Sequence, residues 1–260
     1  MNEAEYVKKY FRKENSIANW WDPTEGDLKH IYLKEIEIIK KYLFKDKKIK
    51  TKAGLELSIG KGRLGLNIYS LFQKYLGTDI SNQMLKITKK QDNKIKLKKI
   101  DSENLSTINN ETYDYVFCLA ALVHYPNPDL AINEISRVLK KGGISIISVD
   151  NNISIKRLFK SWVTKKNLKI NSKFKPQGNS IFQVYSKKEL KNMFKQNNLK
   201  IEKIIYLGMI PAIQYQTSNY KNKYLISPEV SYKLRRISFL IDKIPIINRV
   251  ANYQIFILKK

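Results

Sequence analysis

Apolar positions along the chain follow two different periods. Across residues 28–44, Ile31, Ile36, Ile39 and Leu43 recur near the three-to-four-residue spacing of one helix face. From residue 53 the pattern changes to short apolar runs at 53–57, 75–80, 95–100, 113–122 and 144–149, with helical stretches between most of them. That alternation predicts a parallel sheet with helices on both faces. Glycines and caps place several boundaries. The turn after residue 57 opens a helix over about 63–75, Ser81 caps a helix over 82–90, and Gly142-Gly143 ends a helix that runs to Lys141. Further on, Ser186 and Glu189 form a capping-box pair for a helix over 186–196, followed by a strand at 199–207. A helix over 228–243, with Leu234, Ile237, Ile241 and Ile244 as its apolar face, precedes a last strand at 253–258. Weaker patterns predict helices at 3–12 and 155–163 and a polar loop at 165–179.

Residues 55–65, LELSIGKGRLG, carry the densest chemistry. An apolar strand bearing an acid runs into a turn where Gly60 and Gly62 open backbone conformations closed to other residues. Strand, glycine turn and helix in that order hold nucleotide-like ligands at the carboxyl end of a parallel sheet. Alone, the same turn serves tight strand-to-helix packing equally well. Asp79 sharpens the reading, because it ends the second strand near the spacing, about 20 residues past the glycines, at which an acid meets ribose hydroxyls. The third strand runs into Asp101-Ser102-Glu103, and the fourth into a proline-bounded loop carrying His124.

In this order, the motifs of residues 54–150 resemble those of class I S-adenosylmethionine-dependent methyltransferases, in the small-molecule, methyltransferase type 11 group related to quinone-biosynthesis enzymes. The resemblance implies an α/β, Rossmann-like seven-stranded sheet, mostly parallel, with an antiparallel last strand between strands five and six and helices on both faces. It implies S-adenosyl-L-methionine as cofactor. It also implies that Glu56, Ser58, Gly60 and Gly62 surround the methionine part, Asp79 the ribose, Ile80 the adenine ring, and Asp101 with Ser102 the adenine amino group. Leu119 and Ala120 would line the methyl-transfer region. Ser58 stands where the family has glycine, and a serine at positive φ is strained. Ala120 stands where asparagine is common. Residues 1–50 are expected to form an amino-terminal helical lid segment, in which Trp20 or Trp21 covers the cleft or anchors the segment. Residues 51–260 are then the methyltransferase domain, with substrate-covering insertions near 151–185 and 208–245, the second carrying Tyr215, Tyr220 and Tyr224.

His124 lies just beyond the fourth strand, where an acceptor atom would meet the cofactor methyl. An ordinary pKa near 6.5 suits a general base there, and equally a cap on the following turn. His30, on a helix face, is expected to be structural. Cys118, the one cysteine, excludes an internal disulfide and multi-cysteine metal sites, and its apolar strand points to a buried, inert thiol.

Composition changes the picture less. The 49 Lys+Arg against 23 Asp+Glu give a net charge of +26. Lysine dominates that excess amid abundant Ile and Asn, which is the bias of AT-rich coding, so charge alone argues weakly for nucleic acid. The expected acceptor is a small molecule, methylated at oxygen: a quinone precursor, a sugar or a lipid-linked glycan. RNA methylation is the alternative, disfavoured because CLAALVHYPNP lacks an Asn/Asp-Pro-Pro-aromatic element. A degenerate, non-catalytic member of the fold is the other alternative, prompted by Ser58. No signal-peptide pattern and no apolar run of about 18 residues is present, so a cytoplasmic protein is expected. The basic helix over 228–243 is compatible with peripheral contact to an anionic membrane. Nothing in the residues fixes the oligomeric state.

Overall fold

The structure, a computed structural model, describes residues 26–155, 157–158, 175–177, 180–210, 214–216, 222–224 and 227–260. The predicted helix at 3–12, Trp20, Trp21, Phe159, Trp162 and Tyr220 lie outside the described residues.

Seven strands form one sheet: β1 (Ala53–Glu56), β2 (Lys74–Asp79), β3 (Lys96–Lys99), β4 (Tyr113–Leu119), β5 (Leu139–Asp150), β6 (Lys200–Leu207) and β7 (Tyr253–Lys259). Their order is β3-β2-β1-β4-β5-β7-β6. The first five pair in parallel, and β7 runs antiparallel between β5 and β6. The order reverses at β1, so the crevice beyond the carboxyl ends of β1 and β4 is where such sheets take ligands.

Each face of the sheet is covered by its own apolar layer. On one face, α1 (Gly26–Leu43) buries Ile31, Ile36, Ile39 and Leu43 against Ile68, Phe117 and Ile255. On the other, α4 (Pro128–Val138) and α5 (Lys187–Gln196) bury Ile132, Ile135 and Phe194 against Val116, Ile147 and Phe256. The capping box at Ser186 and Glu189 is present. Ser81 caps α3 (Asn82–Gln91), accepting from the Met84 N–H at 3.4 Å.

Three predicted elements differ. The helix expected at 63–75 is only one turn, α2 (Gly65–Ile68), tightened into a 3-10 turn at Tyr69–Leu71. The chain must turn back there, because the Lys52 carbonyl accepts from the Gln73 N–H at 3.0 Å to start β2 beside β1. Phe72 anchors that return in an aromatic cluster with Tyr75, Tyr115 and Phe117, ring centroids 5.5–6.0 Å away. Second, α4 ends at Val138 rather than Lys141. Leu139 is already extended and pairs with Tyr113, and Gly142-Gly143 shape an irregularity inside β5. Third, the residues predicted as loop at 175–177 pair antiparallel with Ser180–Phe182. A second short ribbon joins Gln214–Gln216 to Asn222–Tyr224.

Helix α6 (Pro228–Ile241) packs on α1 with a face unlike the predicted one. Arg235 (1% exposed) and Ser238 turn inward, while Ile237 and Ile244 are exposed. Ser238 Oγ accepts from the Ile210 N–H at 3.0 Å, and the Asp242 carboxylate accepts from the Gly208 and Met209 N–H groups, both at 2.8 Å.

The insertion of β7 ties the far edge of the sheet to its centre, so truncating Phe256, fully buried and edge-on to Phe194 at 5.3 Å, is expected to cost about 3–5 kcal/mol. Removing the exposed Phe44 ring is expected to change stability by no more than about 0.5 kcal/mol. Urea unfolding of Phe256→Ala and Phe44→Ala checks the contrast, and equal losses would refute the layer assignment.

Candidate functional site

The crevice at the switch point is a cavity of about 330 Å³, walled by the loops that leave β1, β2, β3, β4 and β5 and by Tyr32 of α1. Its floor is the turn after β1. The Ile59 N–H donates to the Thr78 carbonyl at 2.8 Å, so the turn stays zipped to β2 while it leaves the sheet. Gly60, at φ +57°, has open space where a side chain would begin, and this leaves backbone exposed to a ligand. Its N–H donates to Asp79 Oδ2 at 2.9 Å, and the Ser81 N–H donates to Asp79 Oδ1 at 2.8 Å. The Ile80 N–H acts on the same carboxylate, and the acceptor capacity left over faces the cavity, where a hydroxyl ligand can use it. Thr88 of α3 closes the far side, donating to the Gly60 carbonyl at 2.7 Å.

Glu56 is buried under this turn. Tyr75 Oη donates to its Oε2 at 2.7 Å, and the Gly65 N–H and Arg63 also favour its charge. Burial outweighs all three and raises its pKa to about 7. Burial likewise lifts Asp79 above the ordinary carboxylate range, against the pull of its backbone donors. Two desolvated carboxyls on one wall make a cavity whose charge is short of a cation.

Ser58 has φ +51°, the strained conformation expected from its place in the motif. Its side chain supplies compensation that glycine would lack. Ser58 Oγ lies 2.8 Å from Tyr125 Oη and 3.3 Å from Ser102 Oγ, joining the β1, β3 and β4 loops in one buried cluster. Cys118 donates to Tyr125 Oη at 3.7 Å, and burial pushes its thiol up to about 12, as an inert thiol requires. Ala120 also sits at positive φ, +53°, with its N–H donating to Ser148 Oγ at 3.0 Å.

Of the sequence-predicted residues, Glu56, Ser58, Gly60, Asp79, Ile80, Asp101, Ser102, Leu119, Ala120 and His124 all line this cavity. Gly62 does not. A Cβ there would lie 2.7–2.8 Å from the side chains of Leu66 and Thr88, so its role is close packing of the turn against α2 and α3. His124 ends a 3-10 turn, Leu122–His124, half-buried at the wall. His30 stacks obliquely on Tyr232 at 5.3 Å, away from the lining.

Sequence reasoning missed several walls. Arg63 pairs with Glu35 of α1 and lies 4.4 Å over the Tyr32 ring, so α1 is fastened to the motif turn by an ion pair and a cation–π contact. The Arg is in the motif, but its partners lie upstream on a helix legible only as an apolar stripe. Glu103 is used structurally, accepting from the Asn127 N–H at 2.6 Å at the start of α4. Tyr253 and Asp150, register partners on β7 and β5, complete the lining. The three acids thus belong to the β3-β2-β1 side, and His124, Asp150 and Tyr253 to the β4-β5-β7 side. Among the described residues, no group of three or more His, Cys, Asp or Glu is placed to hold a metal ion.

Residues 55–147 match a family model described as a methyltransferase domain. An uncharacterized protein of Methanocaldococcus jannaschii is 32% identical over 190 residues, covering 72% of this chain and 80% of that protein. A ubiquinone biosynthesis O-methyltransferase of Pelagibacter ubique is 29% identical over 214 residues, covering 76% and 86%. The crystal structure of magnesium protoporphyrin IX methyltransferase from Synechocystis with bound SAH superposes over 98% of this chain and 99% of that one, with a TM-score of 0.63 at 14% identity. That last likeness speaks for the fold.

Two outcomes follow from the site. Ser58→Ala keeps the strain and loses both hydroxyl contacts, whereas Ser58→Gly loses the contacts but releases the strain. The alanine variant should therefore be the less stable by about 1 kcal/mol, and thermal unfolding that ranks them the other way refutes the strain at residue 58. Burial favours the protonated Glu56, so a cationic adenosyl ligand must displace that proton on binding. Its affinity is expected to fall by up to about tenfold per pH unit below the Glu56 pKa of about 7, and to lose that dependence in Glu56→Gln. Calorimetric titration across pH 5.5–8.5 (roughly the range over which such a carboxyl titrates) checks this, and a flat wild-type profile contradicts it.

Proposed function

Because the chain belongs to the class I S-adenosylmethionine-dependent methyltransferases of small-molecule type, we propose that it methylates an oxygen of a small acceptor that carries a hydroxyl on an apolar ring or chain. The observation that carries this reading is the make-up of the cavity: Glu56, Asp79 and Asp101 on one side, and His124, Tyr253 and the apolar Leu119, Val123 and Val149, with the single carboxylate Asp150, on the other.

The residues present fit S-adenosylmethionine. Its ribose hydroxyls suit Asp79, its adenine Ile80 with Asp101 and Ser102, and its cationic methionine part Glu56 beside the open backbone of Gly60. Bound there, the cofactor supplies an electrophilic methyl group. The chain contributes alignment, exclusion of water and a proton acceptor. His124 follows β4 on the side opposite Glu56 and Asp79, and it takes the hydroxyl proton of the acceptor as general base. Tyr32 closes the cavity from α1, which is fastened to the motif turn because Arg63 lies over the Tyr32 ring and pairs with Glu35. This supports residues 1–50 as a lid segment on a 51–260 catalytic domain, with the insertions near 151–185 and 208–245 covering the acceptor. A phenolic quinone precursor, a sugar or a lipid-linked glycan each offers the required hydroxyl. The apolar wall, together with the ubiquinone-biosynthesis relative, favours the first.

The test is methyl transfer from isotopically labelled S-adenosylmethionine to a panel of phenolic, catecholic and glycosidic acceptors, with the product's methyl position read by NMR. An O-methyl product is expected, while label found only on nitrogen, carbon or RNA overturns the reading. His124→Ala is expected to lower kcat by about 10²–10⁴-fold at unchanged cofactor affinity. Wild-type kcat in that variant removes His124 from the chemistry.

A further inference from the structure

Helix α6 does not sort its side chains cleanly by polarity: Phe239 packs partly buried on the core, yet polar residues share that inward face. It turns Arg235 and Ser238 inward, the former at 1% exposure, and leaves Ile237 (49%) and Leu240 (63%) outside. Soluble helices do the reverse. The inward face is fixed by Ser238 and by Asp242 at the helix end, which hold the backbone N–H groups of residues 208–210, so the helix cannot roll to bury its apolar row. The apolar surface continues past the helix end through Ile244, Ile246 and Ile247, all exposed. Ile246 projects at 73% exposure from a turn with φ +75°, a costly conformation for a β-branched residue.

Charge decides what covers this surface. Arg236, Lys243 and Arg249 are exposed among the aliphatic side chains. The acids of the same stretch are already engaged, Glu229 with Lys233 at 3.0 Å and Asp242 with backbone. A second copy packed across a two-fold axis would set these cations against their own images. An anionic lipid surface accepts both features, taking the aliphatic row into the headgroup boundary and the cations against phosphates. No helix among the described residues is long and apolar enough to cross a membrane.

Position links the surface to the cavity. Asn151, next along from the cavity-lining Asp150, donates to the carbonyls of Arg249 and Ala251, both at 2.8 Å, so the apolar rim is stitched to the β5-β7 end of the site. We propose that α6 and residues 243–249 dock the protein peripherally on an anionic bilayer, with the β5-β7 side of the cavity facing the lipid. An amphiphilic acceptor would then reach His124 from the bilayer without crossing water. The docking surface stands on its own observations, and the route of the acceptor rests on the methyltransferase reading.

The test is flotation of the full chain with vesicles of phosphatidylcholine alone and of phosphatidylcholine mixed in equal parts with phosphatidylglycerol. Binding is expected only to the mixed vesicles. Leu240→Glu and Ile246→Gly are each expected to weaken it by roughly tenfold, from the apolar burial lost. Ile246→Gly also relieves the turn, so its stability should not fall, and both variants should keep cofactor affinity within about twofold. Absence of binding to anionic vesicles at low salt, undiminished binding by the variants, or a concentration-dependent dimer that Leu240→Glu dissolves would each overturn the docking surface. Docking without methyl transfer to a lipid-borne acceptor would leave the surface standing and reject the acceptor route.

Discussion

Desolvating carboxylates is the constraint on which the site depends. Glu56 and Asp79 are withdrawn from water at the carboxyl end of a parallel sheet, and their protein partners do not fully repay that withdrawal, since burial holds both pKa values up. Asp79 spends one lone pair of each oxygen on the turn after β1 and on the start of α3, which sets the shape of the cavity before any ligand arrives. What remains is unspent acceptor capacity directed into the crevice. In the proposed placement a cationic, hydroxyl-rich cofactor answers that capacity, so fold and chemistry meet at one side chain.

Much of this was legible in the sequence because it is local. The cap at Ser81 and the capping box at Ser186 depend on neighbours a few residues away, and both appear where the pattern put them; Glu56, Gly60, Asp79 and Asp101 meet at the cavity because each sits at or just past a strand end, whereas Gly62 packs the turn instead. What the pattern missed depends on partners distant in sequence. The shortening of α2 is imposed by β2 returning to Lys52. The early end of α4 is imposed by Leu139 pairing with Tyr113. Arg63 finds Glu35 on α1, Ser58 finds Tyr125, and Arg235 turns inward toward the Ile210 carbonyl, so that a basic residue sits where periodicity alone assigned a solvent face.

Ser58 shows how a departure from a motif is read differently once its surroundings are known. As sequence, it is a glycine lost and a strained residue gained. As structure, its hydroxyl joins the loops after β1, β3 and β4 through Tyr125 and Ser102, and the same three loops carry residues that line the cavity. The strain and its compensation are both local to the cavity, so this member of the family retains a shaped pocket without the usual glycine.

Hydrogen exchange on the free chain and in the presence of S-adenosylhomocysteine tests the central claim most directly, because it reports on the amides that Asp79 and the β1 turn hold. Added protection is predicted at residues 56–62, 79–84, 101–103 and 119–125, the segments that meet around the cavity. Protection confined to other segments, or none at saturating ligand, would contradict the placement of the cofactor among these carboxylates.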